Sequence, residues 1–172
     1  MIQYMITTYK ADPKKGFVTG SSSGGMMTNV ISAVYPDVMA AGPAYSGVAA
    51  GCLAGSPGFG PITANLDCAS GKKIVKTRES WVAQVKIFYP GYNGTYPRIQ
   101  VWHGTADALV VYPNLGEEIK KWSGLDDVTW TKNLTITPQG GYMLMVYGDG
   151  TKFTAYSAAG VGHTVLIHRL WI

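Results

Sequence analysis

The chain has 172 residues, a net charge of +4 from 14 Lys and Arg against 10 Asp and Glu, and a hydrophobic fraction of 47%. Those figures fit one globular domain with a sizeable core and exclude a disordered chain or two large domains, while 22 glycines and 9 prolines argue against a helical bundle. No stretch approaches the ~20 apolar residues needed to cross a bilayer, and the nearest basic cluster (Lys72, Lys73, Lys76, Arg78) has no aromatic or Gly-rich companion motif, so it reads as a solvated face and not as a nucleic-acid site.

In chain order, Ile2, Met5 and Ile6 fall at helical spacing over 2–10, and Asp12-Pro13 marks a turn. Residues 16–20 form a short apolar run bounded by glycines, which predicts a buried strand. A helix is predicted from Met26 to Tyr35, with Met26, Met27, Val30, Ile31 and Val34 as its apolar stripe and Pro36 as its stop. A second buried strand runs from Met39 to Tyr45. Residues 46–73, rich in Gly, Ser, Pro and Ala, read as a long loop.

A helix over 80–89 carries Trp81, Val82, Val85 and Phe88. A strand covers Arg98 to Gly104, and an amphipathic helix over 114–122 bears Leu115, Ile119 and Trp122. The alternation in 128–157 predicts two or three strands, and Thr164–Ile167 reads as a short apolar end. Strand and helix in alternation predict an α/β fold with a largely parallel sheet, in one domain spanning 1–172.

Several features point outside the cell. Cys52 and Cys68 are the only cysteines, and a disulfide between them would close the long loop. Asn93-Gly94-Thr95 and Asn133-Leu134-Thr135 are N-glycosylation sequons. Residues 1–6 do not form a secretory signal. A chain with extracellular features and no leader is expected to lack its original N-terminus.

The chemistry concentrates in three segments. Gly20-Ser21-Ser22-Ser23-Gly24 matches G-x-S-x-G between a predicted strand and a predicted helix. A serine on such a turn is held in a strained backbone conformation, flanking glycines leave room for the turn, and the hydroxyl sits at a helix N-terminus where negative charge is favoured. The plain alternative is a Ser/Gly loop that caps the helix.

Val101-Trp102-His103-Gly104-Thr105-Ala106-Asp107 places Asp107 on the loop after a strand, where the alternative is a turn aspartate bonding its own backbone. His163, in Gly160-Val161-Gly162-His163-Thr164, follows both. His103 reads as a structural strand-end histidine and His168 as a surface residue. The order Ser, Asp, His is that of α/β-hydrolases. It assigns Ser22 as nucleophile, Asp107 as orienting acid and His163 as base, with the Ser23 N–H as one oxyanion donor. No earlier segment offers a second donor. The histidines lack metal-ligand spacing, so neither a metal nor a cofactor is expected.

Five stretches closely resemble fungal acetylxylan and feruloyl esterases of the polyhydroxybutyrate-depolymerase-like group. They are residues 18–29 around the Ser22 motif, Tyr35-Pro36-Asp37, residues 45–52, Trp102 to Asp107, and Gly160 to Val165. The resemblance implies an α/β-hydrolase, mostly parallel, with helices on both faces, which is secreted and removes ester groups from plant cell-wall xylan. It implies the same three catalytic residues. Family members are longer at the N-terminus and carry early strands with an oxyanion loop. The chain is therefore expected to be a truncated member whose partners are acetylated or feruloylated polysaccharides, with no nucleic acid or membrane. The rival expectations are a feruloyl esterase and an inactive or polysaccharide-binding remnant.

Overall fold

A computed structural model describes residues 1–56, 66–71 and 75–164. Lys72, Lys73, His168 and the predicted apolar end beyond Thr164 lie outside the described residues. Helix α1 (Ile2–Tyr9) is followed by a 3-10 turn at Pro13–Lys15, where the Asp12 side chain accepts from the Lys14 amide. The remaining elements are β1 (Gly20–Ser21), α2 (Ser23–Val34), β2 (Ala41–Tyr45), α3 (Leu66–Ala69), α4 (Arg78–Phe88), β3 (Arg98–Gly104), α5 (Pro113–Leu125), β4 (Trp130–Thr135), β5 (Tyr142–Tyr147) and β6 (Phe153–Ala158).

The six strands form one sheet in the order β1-β2-β3-β6-β5-β4. Pairings from β1 through β2 and β3 to β6 are parallel, and those of β6 with β5 and β5 with β4 are antiparallel. Each parallel step is bridged by a helical crossover, as parallel pairing requires. Helices α2, α4 and α5 pack against one another over the same face of the sheet. There they enclose Ala33, Val85, Leu115 and Trp122 against Ala44, Ile99, Val101, Phe153 and Ala155. Each large apolar side chain buried in this way contributes ~1.5–3 kcal/mol.

Two expectations need correction. The strand expected over 16–20 contracts to β1 and one bridge, Phe17 to Ala41, and Phe17 is 63% exposed. With β2 as its only neighbour among the described residues, this run has one edge to ladder on, and the Phe17 ring points into solvent.

The apolar stripe expected on α2 is only partly inward: Met26 and Val30 pack against the core, but the most deeply buried positions are others. The buried residues are Gly25, Thr28, Asn29, Ser32 and Ala33, whereas Met27 is 54% exposed. The cause is proximity: α2 lies so close to β2 that a Cβ on Gly25 would come within 2.5 Å of the Tyr45 carbonyl oxygen. Only small side chains fit between them.

Tyr45, Trp102 and Tyr156 form a stacked row, with Tyr142 edge-on to Trp102. The long loop is closed by a Cys52–Cys68 disulfide, with Cα atoms 5.7 Å apart and both residues buried beside Trp81.

Candidate active site

Four adjacent parallel strands end at one edge of the sheet, and the residues singled out by sequence follow them. Ser22 comes directly after β1, with φ 56° and ψ −121°, a region that side chains other than glycine rarely occupy. The turn is held by the Ser22 N–H donating to the Tyr45 carbonyl (2.9 Å) and by the Met26 N–H donating to the Ser22 carbonyl (2.9 Å). The N–H groups of Ser23, Gly24 and Gly25 precede that first intrahelical bond and have no partner within the helix.

The crowding that demands glycine falls at Gly20, whose added Cβ would strike the Gly24 backbone, and at Gly25. A Cβ on Gly24 meets nothing within 4 Å. Gly24 therefore makes room by its backbone alone.

Asp107 lies on the turn after β3, and its side chain is fully enclosed. Its Oδ1 accepts from the Leu109 (3.0 Å) and Val110 (2.9 Å) amides. Its Oδ2 lies 2.8 Å from His163 Nδ1, which must donate to the carboxylate. Burial alone would raise the Asp107 pKa, but the His163 hydrogen bond and the two amides outweigh it and hold the carboxyl below its usual range.

The His163 loop is pinned to the Asp107 loop. Ala106 N–H donates to the Val161 carbonyl (2.9 Å), Gly160 N–H donates to Thr105 Oγ1 (2.9 Å), and any side chain at Gly104 would strike the Val161 carbonyl. Among the described residues no hydrogen bond joins Ser22 Oγ to His163.

His103 is fully buried at the end of β3. Its Nε2 lies 2.7 Å from the Val110 carbonyl, which can only accept, so Nε2 carries the proton; the same atom is 3.5 Å from Asp107 Oδ2. Burial holds the His103 pKa below the usual histidine range despite the Asp107 charge. The ring is therefore a neutral brace between β3 and the Asp107 turn.

A polar cluster missed by sequence lies beneath the elbow. Asn29 of α2 meets Glu118, Lys121 and Trp122 of α5, all of them buried. Burial pushes Glu118 up to about 7 and Lys121 down to about 7, each opposed by the charge of the other. On a helical wheel Glu118 and Lys121 resemble an ordinary solvated pair, so only the packing of α2 on α5 reveals them.

A cleft of about 430 Å³ lined by Ala41, Pro43, Arg98, Gln100, Lys152 and Thr154 lies at the opposite, N-terminal end of the strands, away from Ser22. Asn93 and Asn133 are both exposed. Lys76 and Arg78 are engaged locally, by Gln84 and by the Ser123 carbonyl with Asp127. No helix among the described residues is long and apolar enough to cross a membrane.

The prolyl oligopeptidase family (Peptidase_S9) matches residues 1–122, a span that includes Ser22 and Asp107. The chain belongs to this family. Within it the similarity falls on esterases. A feruloyl esterase B from Talaromyces funiculosus is 53% identical over 165 residues, covering 96% of the chain and 46% of that protein. An acetylxylan esterase from Coprinopsis cinerea is 42% identical over 165 residues, covering 94% of the chain and 42% of that protein.

The solved acetyl xylan esterase from Aspergillus awamori superposes with a TM-score of 0.87 at 39% identity, over 98% of the chain and 61% of that structure. The fold is that of an α/β-hydrolase. The chain spans about half the length of the curated relatives it matches.

Proposed function

We propose that the chain is a serine carboxylic ester hydrolase acting on acylated plant cell-wall polysaccharide, with Ser22, His163 and Asp107 as its catalytic residues. The observation that carries this is the Asp107–His163 hydrogen bond at the edge of the sheet where Ser22 sits on its strained elbow. His163 Nε2 takes the Ser22 hydroxyl proton as Oγ attacks the ester carbonyl, and returns it to the leaving alkoxide as the acyl-serine forms. Water then repeats the cycle on the acyl-serine. Asp107 fixes the ring and stabilises the imidazolium, and the Ser23 N–H donates to the developing oxyanion. Such a donor accounts for ~100- to 1,000-fold in rate.

Acetyl on xylan is the first acyl group in this proposal, supported by the fit to the acetyl xylan esterase structure. Feruloyl is the second, supported by the higher identity to a feruloyl esterase B. An extracellular setting, with sugar on Asn93 and Asn133, is supported by the disulfide and by the exposure of both asparagines.

The test is turnover of p-nitrophenyl acetate and methyl ferulate by the chain and by Ser22→Ala. The expected loss in the variant is at least about 1,000-fold. Turnover that survives Ser22→Ala would remove the proposal, and the ratio of the two substrates decides the acyl group.

A further inference from the structure

Asn29 uses every hydrogen-bonding position of its side chain, in a place no solvent reaches. Its Oδ1 accepts from Lys121 Nζ (2.8 Å) and Trp122 Nε1 (2.6 Å). Its Nδ2 donates to Glu118 Oε1 and to the carbonyl of Gly25 (3.3 Å). Gly25 belongs to the first turn of α2, where the chain touches the Tyr45 carbonyl, and Ser22 caps that helix.

One amide thus ties the turn that presents Ser22 and the Ser23 N–H to α5. Removing Glu118 and Lys121 from water is costly, and well-packed apolar residues of similar volume commonly serve stability as well or better. What a buried amide with all four positions engaged supplies is a fixed orientation.

We propose that Asn29, held by Glu118, Lys121 and Trp122, is a positioning residue that sets the Ser22 hydroxyl and the Ser23 N–H in register with the ester carbonyl. This rests on Ser22 being the nucleophile. A misplacement of about 1 Å at a reacting group can cost ~100-fold in rate, so the cluster acts on the chemical step more than on substrate affinity.

The test uses Asn29→Asp, the double variant Asn29→Asp/Glu118→Gln, and Trp122→Phe. Asn29→Asp sets two carboxylates together and removes the donor to Gly25. The double variant exchanges their roles: the new amide at 118 donates to the carboxylate at 29, which still accepts from Lys121 and Trp122. Trp122→Phe deletes a single donor and keeps a ring.

The readouts are kcat and KM for p-nitrophenyl acetate, the rate constant for labelling of Ser22 by a fluorophosphonate, and the thermal midpoint. In Asn29→Asp, kcat and the labelling rate are expected to fall together by about 30-fold or more, with KM within about twofold. The double variant regains the bonds to α5 but still lacks the donor to Gly25, so its thermal midpoint is expected to recover toward the parent while kcat stays about tenfold or more below it. Trp122→Phe is expected to lose about three- to tenfold in kcat at unchanged KM.

A folded Asn29→Asp labelled as fast as the parent overturns the proposal. If Asn29→Asp does not fold, parent-like kcat in Trp122→Phe overturns it. A parent chain that is not labelled at Ser22 removes the nucleophile assignment first, and the proposal with it.

Discussion

At the elbow, the backbone of Ser22 at φ 56° sits where a β-carbon is disfavoured, at a cost of order 1–3 kcal/mol. The strain persists because its surroundings over-determine it. Ser22 N–H is committed to Tyr45, Gly20 is wedged against Gly24, and Gly25 is pressed on β2. G-x-S-x-G was legible in the sequence because its chemistry is local. Which glycine bears the close contact was not, since that depends on how near α2 comes to β2.

The geometry gives different outcomes for two neighbouring substitutions. Gly25→Ala forces α2 away from β2, and it is expected to destabilise by about 1–3 kcal/mol and to slow turnover. Gly24→Ala meets open space and is expected to leave stability within about 0.5 kcal/mol of the parent. Equal midpoints for the two variants would show that the contact at Gly25 relaxes freely.

Among the elements, α4, α5, β2 and β3 follow the hydrophobic period of their sequences closely, and the alternating segment resolves into β4, β5 and β6. The exception is α2. Periodicity weighs hydrophobicity, but a helix lying this close to a strand selects for size, so Thr28, Ser32 and Ala33 turn inward while Met27 turns out. On α5 the same limit hid Glu118 and Lys121, because periodicity does not distinguish a polar face against solvent from one against another helix.

The C-terminus of α5 offers a test in pH. Asp126 caps this helix, its Oδ2 is buried with no hydrogen-bond partner among the described residues, and burial raises its pKa to about 6 despite Lys152. For an acid whose folded pKa is raised, the favourable contribution is complete below the unfolded value near 3.9 and is lost as pH rises through about 6. Asp126→Asn is therefore expected to leave stability at pH 4 almost unchanged. At pH 8 it should raise stability by about 1 kcal/mol, after discounting for partial exposure. Urea unfolding at the two pH values checks this, and an equal effect at both would exclude Asp126 ionisation as the cause.

Over the whole molecule, the proposed catalytic edge is assembled from loops far apart in sequence, and their order along the chain was visible in the sequence. Ser22, Asp107 and His163 stood out as candidates because each follows a strand in a recognisable turn. His103 as a brace for Asp107 was only half legible: its strand-end position is visible, but its bond to Val110 needs the folded turn. The face bearing Tyr45, Trp102 and Tyr156 was not legible, since the sequence predicts helices without showing which side of the sheet they cover.

Whether Ser22 and His163 work as one unit is decided most directly by a double-mutant cycle. The measurement is kcat for p-nitrophenyl acetate in Ser22→Ala, His163→Ala and the double variant. Residues that act together fail together, so the double variant is expected to be no more than about threefold slower than Ser22→Ala alone. A double variant whose loss is the product of the two single losses would mean that the two residues contribute independently, and that the catalytic unit proposed here does not exist.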